Sequence, residues 1–165
     1  MMKLSEVNAL SAKVFEAAFA DVAEHSPWVA QAAALKRPFA TREAMIAAFV
    51  NAVTMASRAQ KLSLIRAHPD LAAKAKLTSH SSREQSGAGL DRLTKSELET
   101  FTALNNSYKT KFGFPFIFAV KGATKTQILG AFIDRLVSSH EAEFLHALAQ
   151  VARILRFRIE ERVLP

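Results

Sequence analysis

Thr94-Lys95-Ser96-Glu97-Leu98-Glu99-Thr100-Phe101 opens the stretch whose reading decides the fold. Thr94 with Glu97 three residues on is a capping box, in which two side chains satisfy backbone N–H groups left without partners at a helix start. Leu98, Phe101, Leu104 and Tyr108 follow at three- and four-residue spacing, and Gly113 is the residue type that most readily makes the left-handed turn ending a helix. Start, stripe and stop predict a helix.

Upstream the same signals recur. Leu62 to Arg66 forms a run that leads into His68, and Pro69 biases His68 away from the α region, so a helix should stop there. Asp70 is placed to cap a short helix over Leu71 to Ala75. From Thr78 to Gly89 the composition turns polar and Gly-bearing, which predicts a loop with a short helical piece around Arg83-Glu84-Gln85. Thr41 is a plausible cap, with Glu43 in the first turn, for a long apolar helix through Met45, Phe49, Val53 and Ala56. Ser26-Pro27 reads as cap and first helical residue of a short helix through Trp28, Val29, Ala32 and Leu35, stopped by Arg37-Pro38. Val7 to His25 reads as one helix with Val14, Phe15, Ala18, Phe19 and Val22 on its apolar face.

Downstream, Phe114 to Val120 is an apolar and aromatic run that suggests extended chain, although Pro115 argues against a central strand. Lys125 to Val137 and His140 to Arg162 then read as two helices, the last carrying Phe144, Leu148, Val151, Leu155 and Ile159 inward. Gly (5) and Pro (5) are too few for a many-turned β domain. The expectation is an all-α fold, a single compact multi-helix domain over residues 1–165, with no repeat.

The 165 residues suffice to bury a core without staples, and the absence of cysteine removes thiolate catalysis, cysteine zinc sites and disulfides together. Chemistry must come from His, carboxylates, Arg, hydroxyls and backbone. The N-terminus lacks an apolar core of signal-peptide length and no later stretch approaches a membrane span, so the chain reads as cytoplasmic, without a membrane partner. Lys and Arg outnumber Asp and Glu by 22 to 15, giving a net charge of +7 that favours anionic partners. The basic residues are scattered, without a Lys/Arg block or aromatic interleaving, so nucleic acid is not the expected partner. A basic helical DNA-binding regulator stays as the competing class.

His68, Glu84 and Gln85 bring an imidazole, a carboxylate and an amide close together in sequence. They read either as a small polar pocket or as a connection with a polar residue packed at its edge. Glu143 and His146 form a Glu-x-x-His pair, but a carboxylate-bridged metal site needs a second copy and two more Glu, and none is present. Two polar residues on an exposed helical face are expected there, and no metal. No Gly-rich phosphate loop, serine elbow or His-Glu-x-x-His motif occurs. Of the arginines crowding the last helix, Arg156 and Arg158 point about 200° apart and cannot serve one site in the same way.

Glu24-His25-Ser26-Pro27-Trp28-Val29, Arg37-Pro38-Phe39, Ala67-His68-Pro69-Asp70-Leu71-Ala72, Ser81-x-x-Glu84-Gln85, Leu104-Asn105-x-x-Tyr108 and Lys111-Phe112-Gly113-Phe114-Pro115-Phe116-Ile117 together resemble the OHCU decarboxylase family in order and spacing. OHCU is 2-oxo-4-hydroxy-4-carboxy-5-ureidoimidazoline. The resemblance implies an all-α fold, often a homodimer, that acts in urate degradation, releasing CO2 and forming (S)-allantoin without a cofactor. Carried over by position, the catalytic residues fall on His68, Glu84 and Arg158, with Arg156 as the competing position for the arginine. Substrate contacts fall on Pro69, on Ser81, Ser82, Arg83, Glu84 and Gln85, and on Phe116, Ile117, Phe118, Ala119 and Val120.

Overall fold

The structure, a computed structural model, describes residues 1–73 and 77–165. Among them the chain forms helices α1 (Leu4–Ala9), α2 (Ala12–Phe19), α3 (Trp28–Ala34), α4 (Arg42–Met55), α5 (Arg58–Ala67), α6 (Ser79–Gly87), α7 (Lys95–Phe112), α8 (Lys125–Leu136) and α9 (His140–Glu160). The only pairing of extended chain among the described residues is an isolated bridge between Met2 and Val163. The all-α expectation holds. The contacts divide the chain into two compact units, residues 1–67 with 152–165 and residues 68–151, so α9 contributes to both.

In the first unit the expected helix over Val7 to His25 is broken. Ser11 takes an extended conformation and its hydroxyl accepts from the Val14 N–H, which starts a fresh helix and leaves Val14 outside the core. Phe15 and Phe19 of α2 turn inward and meet Phe49 of α4, with ring centroids 4.8–6.3 Å apart. Asn8 closes the N-terminal edge by exchanging two 2.8 Å hydrogen bonds with the backbone of Phe39. Thr41 caps α4 as expected, its hydroxyl accepting from the Ala44 N–H. At α3 the helix is counted from Trp28, one residue later than expected, and no side chain caps it, although Pro27 has the helical dihedrals expected of a first-turn proline.

The second unit begins at His68, directly after α5. Leu71 and Ala72 form a turn instead of the expected short helix, with Ala72 in the left-handed region at φ +59°; Lys74 and Ala75, the rest of that expectation, lie outside the described residues. The stretch expected as a loop is largely α6. Thr78 caps it by accepting from the Ser81 N–H, and burial of His80, Ser81 and Gln85 on one side outweighs the weak helix propensity of its serines. α7 starts with the Thr94–Glu97 capping box and ends at Gly113, at φ +75°. Phe114 to Val120 is neither helix nor strand, and apart from the partly exposed Phe118 it is buried.

Candidate active site

α7 gathers the pieces of the second unit. From one side of this helix Asn105 Nδ2 donates to the Leu71 carbonyl at 2.8 Å and Lys109 pairs with the Asp70 carboxylate, both within the turn that follows His68. Tyr108, on the same helix, meets Phe116 edge to face at 5.3 Å. Gln85 of α6 holds the turn from another direction: its Oε1 accepts from the Ala72 N–H at 2.9 Å and its Nε2 donates to the Asp70 carbonyl at 3.3 Å. The left-handed backbone at Ala72 is thereby fixed by a buried amide.

His68 is 8% exposed and sits where α5 stops, as Pro69 requires. Glu84 is half-buried and adjoins Gln85, so the elements bearing the imidazole and the carboxylate are joined through the Gln85 amide. α6 separates the five residues that sequence grouped together. Ser81 and Gln85 lie four apart on its buried face, whereas Ser82 and Arg83 are exposed, the latter with its Nη2 3.0 Å from His80 Nδ1.

Phe116 to Val120 is held by a cluster around Glu143; of the Glu143 and His146 pair expected on an exposed face, His146 is exposed and Glu143 is not. Glu143 is fully buried, accepting from the Tyr108 hydroxyl and pairing with Arg135 and His146. Among the described residues no group of three or more His, Asp and Glu is arranged to hold a metal ion. The missed signal was Leu104-Asn105-x-x-Tyr108, two of whose residues prove to be buried hydrogen-bonding groups.

Burial raises the Tyr108 phenol above its ordinary value of 10.0, and the hydrogen bond to Glu143 adds to the rise. A raised pKa means that folding favours the protonated form, so this contribution to stability is full below pH 10.0 and is lost as pH climbs through the folded value. Tyr108 is the chain's single tyrosine. Tyrosinate absorbance should therefore stay absent at pH 10.0 and appear together with loss of the helical signal. A tyrosinate midpoint near 10.0 in folded protein would contradict this placement.

In the first unit Arg158 is 1% exposed. Its Nη1 donates to Glu24 Oε2 at 2.9 Å and to the carbonyls of Val22 and Asp21 at 3.3 and 3.4 Å. Arg156 points elsewhere, is 42% exposed, and pairs with Glu43 and Glu160. The Arg156 guanidinium beside Glu43 holds that carboxyl below the usual range. The predicted divergence of the two arginines is observed, and the buried one is Arg158. An apolar groove of about 730 Å³ along α3 and α4, lined by Trp28, Leu35 and Met55 among others, has no imidazole or carboxylate in its walls.

The OHCU decarboxylase family model matches residues 8–160. This chain belongs to that family. An OHCU decarboxylase of Haloferax volcanii is 42% identical over 98% of this chain and 96% of its own length. A uric acid degradation bifunctional protein of a Bacillus species is 40% identical over 98% of this chain, which spans only 32% of that relative. Among solved structures, an (S)-allantoin synthase superposes with a TM-score of 0.81 at 31% identity, covering 98% of this chain and 54% of that one. A second structure, of an OHCU decarboxylase in the presence of (S)-allantoin, shares the fold with a TM-score of 0.73 at 23% identity, over 87% of this chain and 95% of that one. These relatives agree with the expectation of a decarboxylase rather than a regulator. Among the described residues no helix of this OHCU decarboxylase family member is long and apolar enough to cross a membrane.

Proposed function

We propose that this chain decarboxylates 2-oxo-4-hydroxy-4-carboxy-5-ureidoimidazoline to (S)-allantoin and CO2 in urate degradation. The observation that carries this is the match, at 42% identity and along almost the full length of both chains, to an enzyme named for that substrate. The family match runs through residues of both units, which supports reading 1–165 as one functional domain. A cytoplasmic homodimer without nucleic-acid or membrane partners completes the reading.

The chemistry needs little from the protein beyond position and a proton. When the carboxylate leaves as CO2, its bonding pair moves toward the neighbouring C=N of the imidazoline, so the ring itself is the electron sink that other decarboxylases take from a cofactor. The nitrogen takes up a proton and the two ring carbons are left joined by a double bond. The ring hydroxyl then gives up its proton to become a carbonyl as that double bond takes a proton on the carbon bearing the ureido group, and the face from which this proton arrives sets the product's hand. His68 has the residue type for that proton transfer near neutral pH. Glu84 serves it by holding the tautomer or by gripping the ureido arm. Pro69 and, on one face of α6, Ser81, Glu84 and Gln85 line the substrate on this reading, with Gln85 also holding the turn next to His68. Phe116 to Val120 contributes a dry wall whose backbone groups meet the ring edge.

Arg158 cannot help by gripping the departing carboxylate, because that would stabilise the ground state more than the transition state. Its part on this reading is to face the ring oxygen or nitrogen that gains charge. Freshly generated substrate should give optically active allantoin faster than it decays spontaneously to racemate. Folded protein that leaves the product racemic would defeat the proposal.

A further inference from the structure

The segment Phe116 to Val120 has no helix or sheet of its own to hold it, and side chains from neighbouring helices supply that support. Arg135 of α8 spreads its planar fork over two partners: Nη1 donates to the Ile117 carbonyl at 2.7 Å, while Nε and Nη2 each lie 2.9 Å from Glu143 Oε2. The same guanidinium lies against the Phe116 ring, its central carbon 4.4 Å from the centroid, and that ring stacks on Phe132 at 3.8 Å. Behind Arg135, Glu143 is held by the Tyr108 hydroxyl and by His146 Nδ1 at 2.9 Å. Two residues along, Gln150 of α9 accepts from the Ala119 N–H at 2.9 Å.

This arrangement is costly if packing is all it achieves. A buried ion pair gives little net stability compared with apolar residues of the same volume. What it does give is direction, since a guanidinium whose orientation is locked by a carboxylate can fix a carbonyl and a ring at once.

We propose that Arg135, oriented by Glu143 and Tyr108, is a positioning residue that sets the Ile117 carbonyl and the Phe116 ring, and with Gln150 fixes the register in which Phe116 to Val120 meets the substrate. The role rests on the reading that this segment contacts the substrate. Arg135 touches no reacting atom on this account; it acts through the segment.

Arg135→Lys tests it. A lysine keeps a cation beside Glu143 but lacks the fork needed to reach Glu143 and the Ile117 carbonyl together. Because the segment holds the ring in ground and transition states alike, KM should rise about tenfold, the worth of one hydrogen bond, with kcat within about twofold of the unaltered enzyme. A purely structural arginine predicts a lower unfolding midpoint and a smaller folded fraction with an unchanged KM, and that result overturns the proposal. Gln150→Ala cuts the second tether at a half-exposed position and covers the case in which Arg135→Lys does not fold. A similar rise in KM is expected there, and an unchanged KM again overturns the proposal. Stereoselective turnover by the unaltered chain with unchanged KM in both variants sinks only the positioning role. No stereoselective turnover by the unaltered chain sinks the decarboxylase reading, and the positioning role falls with it.

Discussion

His68→Ala is expected to lower turnover by about 10²–10⁴-fold, the usual share of a positioned acid–base group, while leaving the far-ultraviolet circular dichroism unchanged. The two halves of that expectation have separate causes. His68 follows the last residue of α5, and truncating its side chain leaves every backbone N–H and C=O of that helix in place. The turn after it is held by Gln85, Asn105 and Lys109, none of which the substitution touches, so the local backbone should survive the change. The chemical loss is large because the reaction requires a proton delivered to carbon from one face, and a buried imidazole held at a helix end can offer it from one direction only. Undiminished kcat/KM in the variant would remove His68 from the mechanism. Loss of helical signal would show that the turn depends on the imidazole after all.

The second large effect concerns Arg158. Replacing Glu24 by Ala should destabilise the protein by about 3–5 kcal/mol, because the guanidinium is then left in the interior without its counter-charge. Arg158→Ala should cost a comparable amount by stranding the Glu24 carboxylate. Arg156→Ala, at a surface pair, should cost no more than about 1 kcal/mol. Urea denaturation of the three variants measures this directly. Activity per folded molecule then separates the roles: Arg158→Ala should lose about 10²–10³-fold, as when one donor to a developing charge is removed, and Arg156→Ala should stay near the unaltered level. Equal activity in the two arginine variants would strike Arg158 from the catalytic set, whatever its part in stability.

Much of the scaffold was legible because local chemistry decides it. The Thr94–Glu97 box, the Thr41 cap and Gly113 each satisfy backbone groups within a few residues, so pattern alone suffices. Where the reading failed, the deciding interaction was one that composition hides. Ser11 restarted a helix inside an apolar stripe that looked continuous. α6 was obscured by its serines and glycine, since its stability comes from a buried face that propensity does not record. Glu143 read as surface because a Glu-x-x-His pair on a helix usually is, and nothing nearby in sequence announced Arg135 or Tyr108 as its partners.

The sequence by itself determined the helical class, the stop at His68, the divergence of Arg156 from Arg158, and, through its ordered motifs, the family. Spacing along a chain is enough for these, because helix period and proline sterics act over three or four residues. Only the tertiary structure decided that Arg158 is the buried arginine and Arg156 the surface one. It alone showed that Gln85 ties α6 to the turn behind His68, and that a concealed Arg135–Glu143–Tyr108 cluster grips the Phe116 segment. Those facts depend on which distant side chain arrives to satisfy a charge or a carbonyl removed from water, and a single chain of letters does not specify that meeting.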